Sequence, residues 1–242
     1  MTPADYDPFC ITAPVDSRLP TSGQQVCGLY DITPTKFGLN DNLVVLASDA
    51  FGKRSEIYKG VDFNLNVRLP RGLLVQGGTS TGRTALNACS VVDSPQELLF
   101  CETNPPFQTQ VKLLGIYPLP WWGFQTAVTY QSLPGPQITA AYAAPAASVT
   151  GLGRPLAGGV RTLTVPLVAP GTMYGDRLNQ VDLRVTRSFR VAGTRVEPQL
   201  DFYNLLNANP ILTQNNTYGA AWQNVTMFVK GRLMKVGAQI TF

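Results

Sequence analysis

A stretch of strict alternation limits what this chain can fold into more than any other feature. Val61, Phe63, Leu65, Val67 and Leu69 are apolar, and Asp62, Asn64, Asn66 and Arg68 between them are polar or charged. At about 100° per residue a helix scatters those five apolar side chains around its circumference, whereas a strand sets all five on one face. The last segment has the same period: Met234, Val236, Ala238, Ile240 and Phe242 alternate with Lys235, Gly237, Gln239 and Thr241. In a third stretch Val181, Leu183, Val185, Phe189 and Val191 oppose Gln180, Asp182, Arg184, Thr186, Ser188 and Arg190. Arg187 departs from this pattern by falling on the apolar face, where a bulge or a snorkelling side chain would accommodate it.

Less regular strands are predicted over 73–84, 109–117, 121–132 and 196–204. In the third of these, Trp122, Phe124, Val128 and Tyr130 share a face opposite Gln125, Ala127, Thr129 and Gln131. No stretch has helical periodicity beyond a turn or two, so the expected fold class is all-β and antiparallel. Gly77, Gly78 and Gly82 superficially suggest a phosphate loop, but no Gly-Lys-Ser/Thr follows and they lie within a strand pattern. A bulge or a close backbone approach explains them better.

The connections sort by length. Pro70–Gly72, Pro118–Pro120 and Ala192–Thr194 are tight turns, while 85–108, 133–177 and 205–225 are long, rich in Pro, Gly and Asn, and poorly periodic. Short and long connections therefore alternate, as they do in outer-membrane β-barrels with periplasmic turns and extracellular loops. Charged residues make up 14% of the chain, against about 25% in soluble domains, which suits a surface meeting lipid on one side and water on the other. On this reading residues 1–57 are an extracellular loop region with a hairpin at 43–51, and 58–242 supply about seven to eight spanning strands. Tyr117, Trp121, Trp122 and Phe189 then lie near the tight-turn rim, where an aromatic girdle belongs. An odd strand count cannot close an antiparallel sheet, and open edges are not tolerated in lipid, so further strands are expected. The opening MTPADYDPFC lacks a secretion-signal pattern, which fits a processed chain or part of a longer one.

The four cysteines fall as two local pairs, Cys10 with Cys27 and Cys89 with Cys101, neither spaced as a zinc or redox motif. Two loop-closing disulfides are the expected reading, although four cysteines allow three pairings. With no histidine in the chain, His-dependent triads and His-ligated zinc are excluded, and no other catalytic, cofactor or metal motif stands out. The net charge of +4 is scattered, not clustered into the basic stripe that nucleic-acid binding requires. Asp62, Asn64, Asn66, Arg68, Gln180, Asp182 and Arg184 are expected to point to a barrel lumen, with Asp201, Tyr203 and Asn204 as a further cluster; all are also what the polar half of alternating strands would supply. The stretch NNTYGAAW (215–222) is read as an external loop that either touches a ligand or is merely solvated.

Taken in order, several strings resemble the C-terminal barrel region of TonB-dependent transporters, specifically Oar-like receptors with a carboxypeptidase-regulatory-like domain. They are EIYKGVDFNLNVRLPRGLLVQGGTSTGR (56–83), LLGIYPLPWWGFQTAVTYQSLPGP (113–136), NQVDLRVTRSFRVAGTRVEPQLDFYNLLNANPIL (179–212), YGAAW (218–222) and GRLMKVGAQITF (231–242). The resemblance implies a bacterial outer-membrane barrel of about 22 strands around a plug. It also implies active transport of a peptide, glycan or protein, energised by an inner-membrane TonB complex acting on an N-terminal region outside this sequence. Met234, Val236, Ala238, Ile240 and Phe242 would be the signal read by the barrel-assembly machinery. Two other architectures compete: a small autonomous barrel serving as anchor or adhesin, and a secreted β-sandwich that binds carbohydrate or protein.

Overall fold

The computed structural model describes residues 1–39, 54–90 and 94–242, so the hairpin predicted at 43–51 lies outside them. Among the described residues the chain is all-β, with only short 3-10 turns, and no helix is long and apolar enough to cross a membrane. Strands β1 (Tyr6–Thr12) and β2 (Gln25–Ile32) form a hairpin, followed by β3 (Ser55–Arg68) and β4 (Leu74–Asn87). Next come a short β5 (Glu102–Thr103), then β6 (Gln108–Pro118) and β7 (Phe124–Leu133). One long connection holds β8 (Ala141–Pro145), β9 (Val149–Thr150) and β10 (Thr162–Pro166). Then β11 (Leu178–Arg187) and its continuation β12 (Phe189–Val191) lead into β13 (Thr194–Tyr203). The series ends with β14 (Ile211–Gln214), β15 (Val225–Phe228) and β16 (Leu233–Thr241).

The long strands form one antiparallel meander in the order β3-β4-β6-β7-β11-β13-β16, with β12 extending β11 against β13 and β5 pairing the far end of β4. Each long strand pairs with its sequence neighbour, so the local alternation fixes the register. Val128, for example, lies between Gly115 and Leu183, and Leu200 between Val185 and Val236. Thr186 pairs with Gln199 and Phe189 with Val196 in one continuous register. The pairing with β13 lapses at Arg187 and Ser188, across from Pro198 and Glu197, and Pro198 has no N–H to donate to the ladder. Strands β3 and β16 stand at the two ends of the path, and no pairing joins them among the described residues.

Turns of 69–73, 119–123 and 192–193 all lie at one end of this sheet, and connections of 88–107, 134–177 and 204–232 at the other. Gly77 and Gly78 are the close approach expected from the sequence: a Cβ on Gly77, which also has a φ of +145°, would overlap the Lys112 carbonyl. The cross-strand pair Gly60 and Gly82 is covered by the ring of Tyr58, which occupies the space their side chains would need.

The compact core lies outside the main sheet. Strands β2-β1-β9 form a three-stranded sheet and β8 pairs with β10. Phe9, Ile11, Val26, Leu29 and Val165 from these strands, with Ala140, Leu167 and Trp222 from the connections, make one buried cluster. This loop unit therefore joins three segments far apart in sequence: the N-terminal hairpin, the 134–177 connection and the 215–224 stretch. The Cys10–Cys27 disulfide crosses the β1–β2 hairpin where Gly28 (φ +81°) provides a bulge, and Cys89–Cys101 closes the 88–101 loop. Both local pairings expected from the sequence are present.

Candidate functional site

The register divides the main sheet into two unlike faces. On one, Val61, Phe63 and Leu65 of β3 align through Val111 and Leu113 of β6 and Tyr130 and Val128 of β7. The same face continues through Val181, Leu183 and Val185 of β11, then Leu200 and Phe202 of β13. It ends on Met234, Val236, Ala238 and Ile240 of β16, four of the five residues read as an assembly signal. The fifth, Phe242, follows β16 and is fully exposed. Much of this apolar face is open: Val61 and Val236 are each 74% exposed.

Charge on that face is confined to its boundaries. Lys59 and Arg83 form a cross-strand pair toward the long-connection end, and Arg187 pairs with Phe124 at the short-turn end. Between them no outward-facing position of the seven strands is charged. Each boundary arginine stacks on an aromatic ring, Arg83 on Phe107 at 4.6 Å and Arg187 on Phe124 at 5.4 Å. Arg187, the exception in the sequence pattern, thus sits at the last β7–β11 pair and needs no bulge; the exposed Trp121 and Trp122 precede its partner Phe124 in the turn.

The opposite face is polar and hollowed. Three adjoining depressions share lining residues: Gln76, Gly77 and Lys112 join the first two, and Leu114, Thr129 and Asp182 join the second to the third. Together they run from Asn64 and Asn66 on β3 to Asp201 and Tyr203 on β13. Asp62, Asn64, Asn66 and Arg68 all lie on this face and are exposed, with Gln76 donating to Asn66 at 3.4 Å. Asp182 and Arg184 lie on the same face, with three strands between.

Those two residues belong to two neighbouring hydrogen-bonded clusters. Arg184 donates to Asp201 through Nε at 2.5 Å and Nη2 at 3.2 Å, and the hydroxyl of Tyr203 donates to the same carboxylate at 3.4 Å. Asp182 accepts from the Gln180 amide at 2.9 Å and from the backbone N–H of Asn204 at 2.8 Å, and Gln131 donates to Gln180 at 3.1 Å. Asn204 adopts a φ of +52°, and its side chain bonds the backbone of Ala208 and Lys230. Asp201, only 2% exposed, is thereby fully partnered. Sequence reading missed Lys112 and Gln76 as floor residues of the hollow. Gln108, Gln110 and Lys112 do alternate, but Leu114 and Ile116 follow on the same face and hide the period.

Of the stretch 215–222, read from the sequence as a loop, Trp222 is packed inward while Thr217 and Gly219 to Ala221 are exposed. Trp222 is 1% exposed within the loop-unit core, and its indole N–H donates to the Thr139 carbonyl at 2.8 Å. Arg18 stacks over that indole at 5.0 Å and forms an ion pair with Asp16 at 2.7 Å. Hydrogen bonds from the Arg18 side chain and backbone hold the Asp16 carboxyl down to about 2. Burial, then the charge of Asp16, raises the Tyr218 hydroxyl above its ordinary value. Arg154 ties Asp7 of β1 to Asp31 of β2 at 2.6 and 2.5 Å; burial opposes its charge, but the two carboxylates outweigh that and raise it.

Among the described residues no three His, Cys, Asp or Glu side chains are grouped to hold a metal. No family model matches the chain, and neither the curated proteins nor the solved structures include a significant match.

Proposed function

We propose that the main sheet is a section of a bacterial outer-membrane β-barrel, its apolar face toward lipid and its hollowed polar face toward the lumen. The observation that carries this reading is the uncharged, exposed apolar band bounded by Lys59 and Arg83 at one end and Arg187 at the other. From Val61 to Arg68 the band is eight residues deep on β3, which at about 3.3 Å per residue is roughly the 25 Å apolar height of such barrels. Leaving that much apolar surface in water is unfavourable, and contiguous patches of this kind mark interaction or membrane surfaces. The sorting of short and long connections to opposite ends supports the same class, with the short turns periplasmic and the loop unit outside the cell. The edges of β3 and β16, unpaired among the described residues, would need further strands in lipid, which points to a larger barrel.

Within that class, the reading is an Oar-like TonB-dependent transporter, on the resemblance of the strings described above. The chain would contribute barrel wall and ligand-facing loops to uptake or export of a peptide, glycan or protein. The barrel-assembly machinery would insert it, and TonB would act through the N-terminal part of the transporter. A β-sandwich would need a second sheet over the apolar face, and among the described residues that face is open.

Immunoblotting of fractionated cells with an antibody against 179–242 tests the proposal. A band several-fold heavier than the 26.2 kDa of this chain, confined to outer membranes, is the expected result. A band near that mass in the membrane would favour the autonomous barrel, and the same band in the soluble fraction would sink the membrane reading.

A further inference from the structure

We infer that the short-turn rim carries a site for an anionic glycerophospholipid, with Arg187 taking the headgroup phosphate and Trp121, Trp122 and Phe124 packing on the glycerol and upper acyl chains. This rests on the proposed membrane location. Arg187 is the charged group on an otherwise uncharged stretch of the apolar face, and it makes no ion pair or hydrogen bond with any described residue. Its guanidinium is held over the Phe124 ring, which fixes its position but uses none of its five N–H donors. A hollow lined by Pro120, Trp121, Trp122 and Phe124 opens beside it.

The aromatic shelf is built at a cost. Trp122 is 80% exposed and adopts a left-handed φ of +52°, a conformation that suits glycine better than a bulky residue. Hydrogen bonds from Phe124 N–H to the Trp121 carbonyl (3.2 Å) and from Leu119 N–H to the Phe124 carbonyl (2.8 Å) hold the turn in that shape. Charge favours an anionic occupant. At this end Arg187 is the charged side chain of the apolar face, Arg71 lies in the adjoining turn, whose Gly72 packs against Pro118, and the nearby carboxylate of Glu197 lies on the opposite face, engaged by Arg195 at 2.7 Å. An anionic headgroup with apolar chains matches a free guanidinium beside an indole shelf, whereas a neutral lipid meets only the shelf.

Tryptophan quenching by brominated lipids reads the site directly in the full chain in detergent solution. Two of its three tryptophans are at the shelf, and Trp222 is enclosed in the loop unit. Brominated phosphatidylglycerol is expected to quench at about fivefold lower concentration than brominated phosphatidylcholine of the same chains, the effect of one cation near an anionic headgroup. Arg187→Gln should abolish that preference and Arg187→Lys should keep most of it, which separates loss of charge from loss of fold. Excess inorganic phosphate should leave the quenching unchanged; displacement would make this a phosphate site and overturn the lipid assignment. Equal quenching by both lipids, unaffected by Arg187→Gln, overturns the site while leaving the membrane reading standing. No quenching by either lipid removes both.

Discussion

The loop unit and the main sheet handle apolar side chains in opposite ways. In the loop unit Ile11, Val165 and Leu167 have 0% exposure, and strands of two to eight residues pack around Trp222. In the main sheet, strands of nine to fourteen residues leave Val61, Phe63 and Val236 open on one side and keep Asp201 and its partners on the other. The first region is built as water-soluble domains are, with apolar groups inside. The second is stable as drawn only if something apolar covers its outer face. One chain thus carries two folding logics, and each substitution should be felt mainly by the region whose logic it violates.

The largest effect is expected at the loop-unit core. Trp222→Ala removes a fully buried ring and the partner of the Thr139 carbonyl, at a cost of about 3–5 kcal/mol. Hydrogen exchange should then lose protection in 6–32 and 138–168 while 74–87 and 124–133 keep theirs. Equal loss in both regions would break the comparison and make the chain one cooperative unit. Replacing Cys10 and Cys27 together by serine should cost about 3 kcal/mol, the loop-entropy value for a separation of 17 residues. The thermal midpoint of the loop unit should fall and that of the sheet should not.

The two regions also differ in how far the sequence reveals them. All seven long strands are visible in it, with ends within a few residues of those observed, because each pairs with its neighbour and one side of each is apolar. Arg187 was the visible exception, and its place at the rim accounts for it. The loop unit was hidden. Its strands are too short to show a period, β8 is rich in Ala and Pro, and β1 pairs with β9 across about 140 residues. Nothing local in YGAAW distinguishes an inward Trp222 from an exposed one; only the assembled core does. The Arg184–Asp201 pair was half visible: alternation put both residues, like Asp182, on the polar face, but only the β11–β13 register set Arg184 opposite Asp201.

A substitution on the open face sharpens the contrast further. Val128 lies centrally on β7 and is 39% exposed. Val128→Arg should change stability by under about 0.5 kcal/mol in water or detergent, as at other surface positions. In a bilayer the same change should cost about 2 kcal/mol, because the guanidinium would lie well inside the apolar height. Urea titrations of the refolded protein in both media compare the two values directly. A cost that is the same with and without lipid would mean that the apolar face is covered by protein.

The smallest effect belongs to Asp16, and it separates the regions by pH alone. Its carboxyl is held at about 2 in the folded loop unit by hydrogen bonds from Arg18, below the ordinary carboxylate value that it regains on unfolding. A depressed folded value means the unfolded chain binds the proton more readily, so Asp16 stabilises the loop unit at pH above about 4. That contribution should fade as pH falls from about 4 toward 2, and it should be absent throughout in Asp16→Asn. The thermal midpoint of the wild-type loop unit should therefore converge on that of the variant across this window, with the difference between them constant from pH 5 to 7. A gap that persists at pH 2 would show that Asp16 acts through the shape of its turn, where Ser22 bonds its backbone, and not through its charge on Arg18.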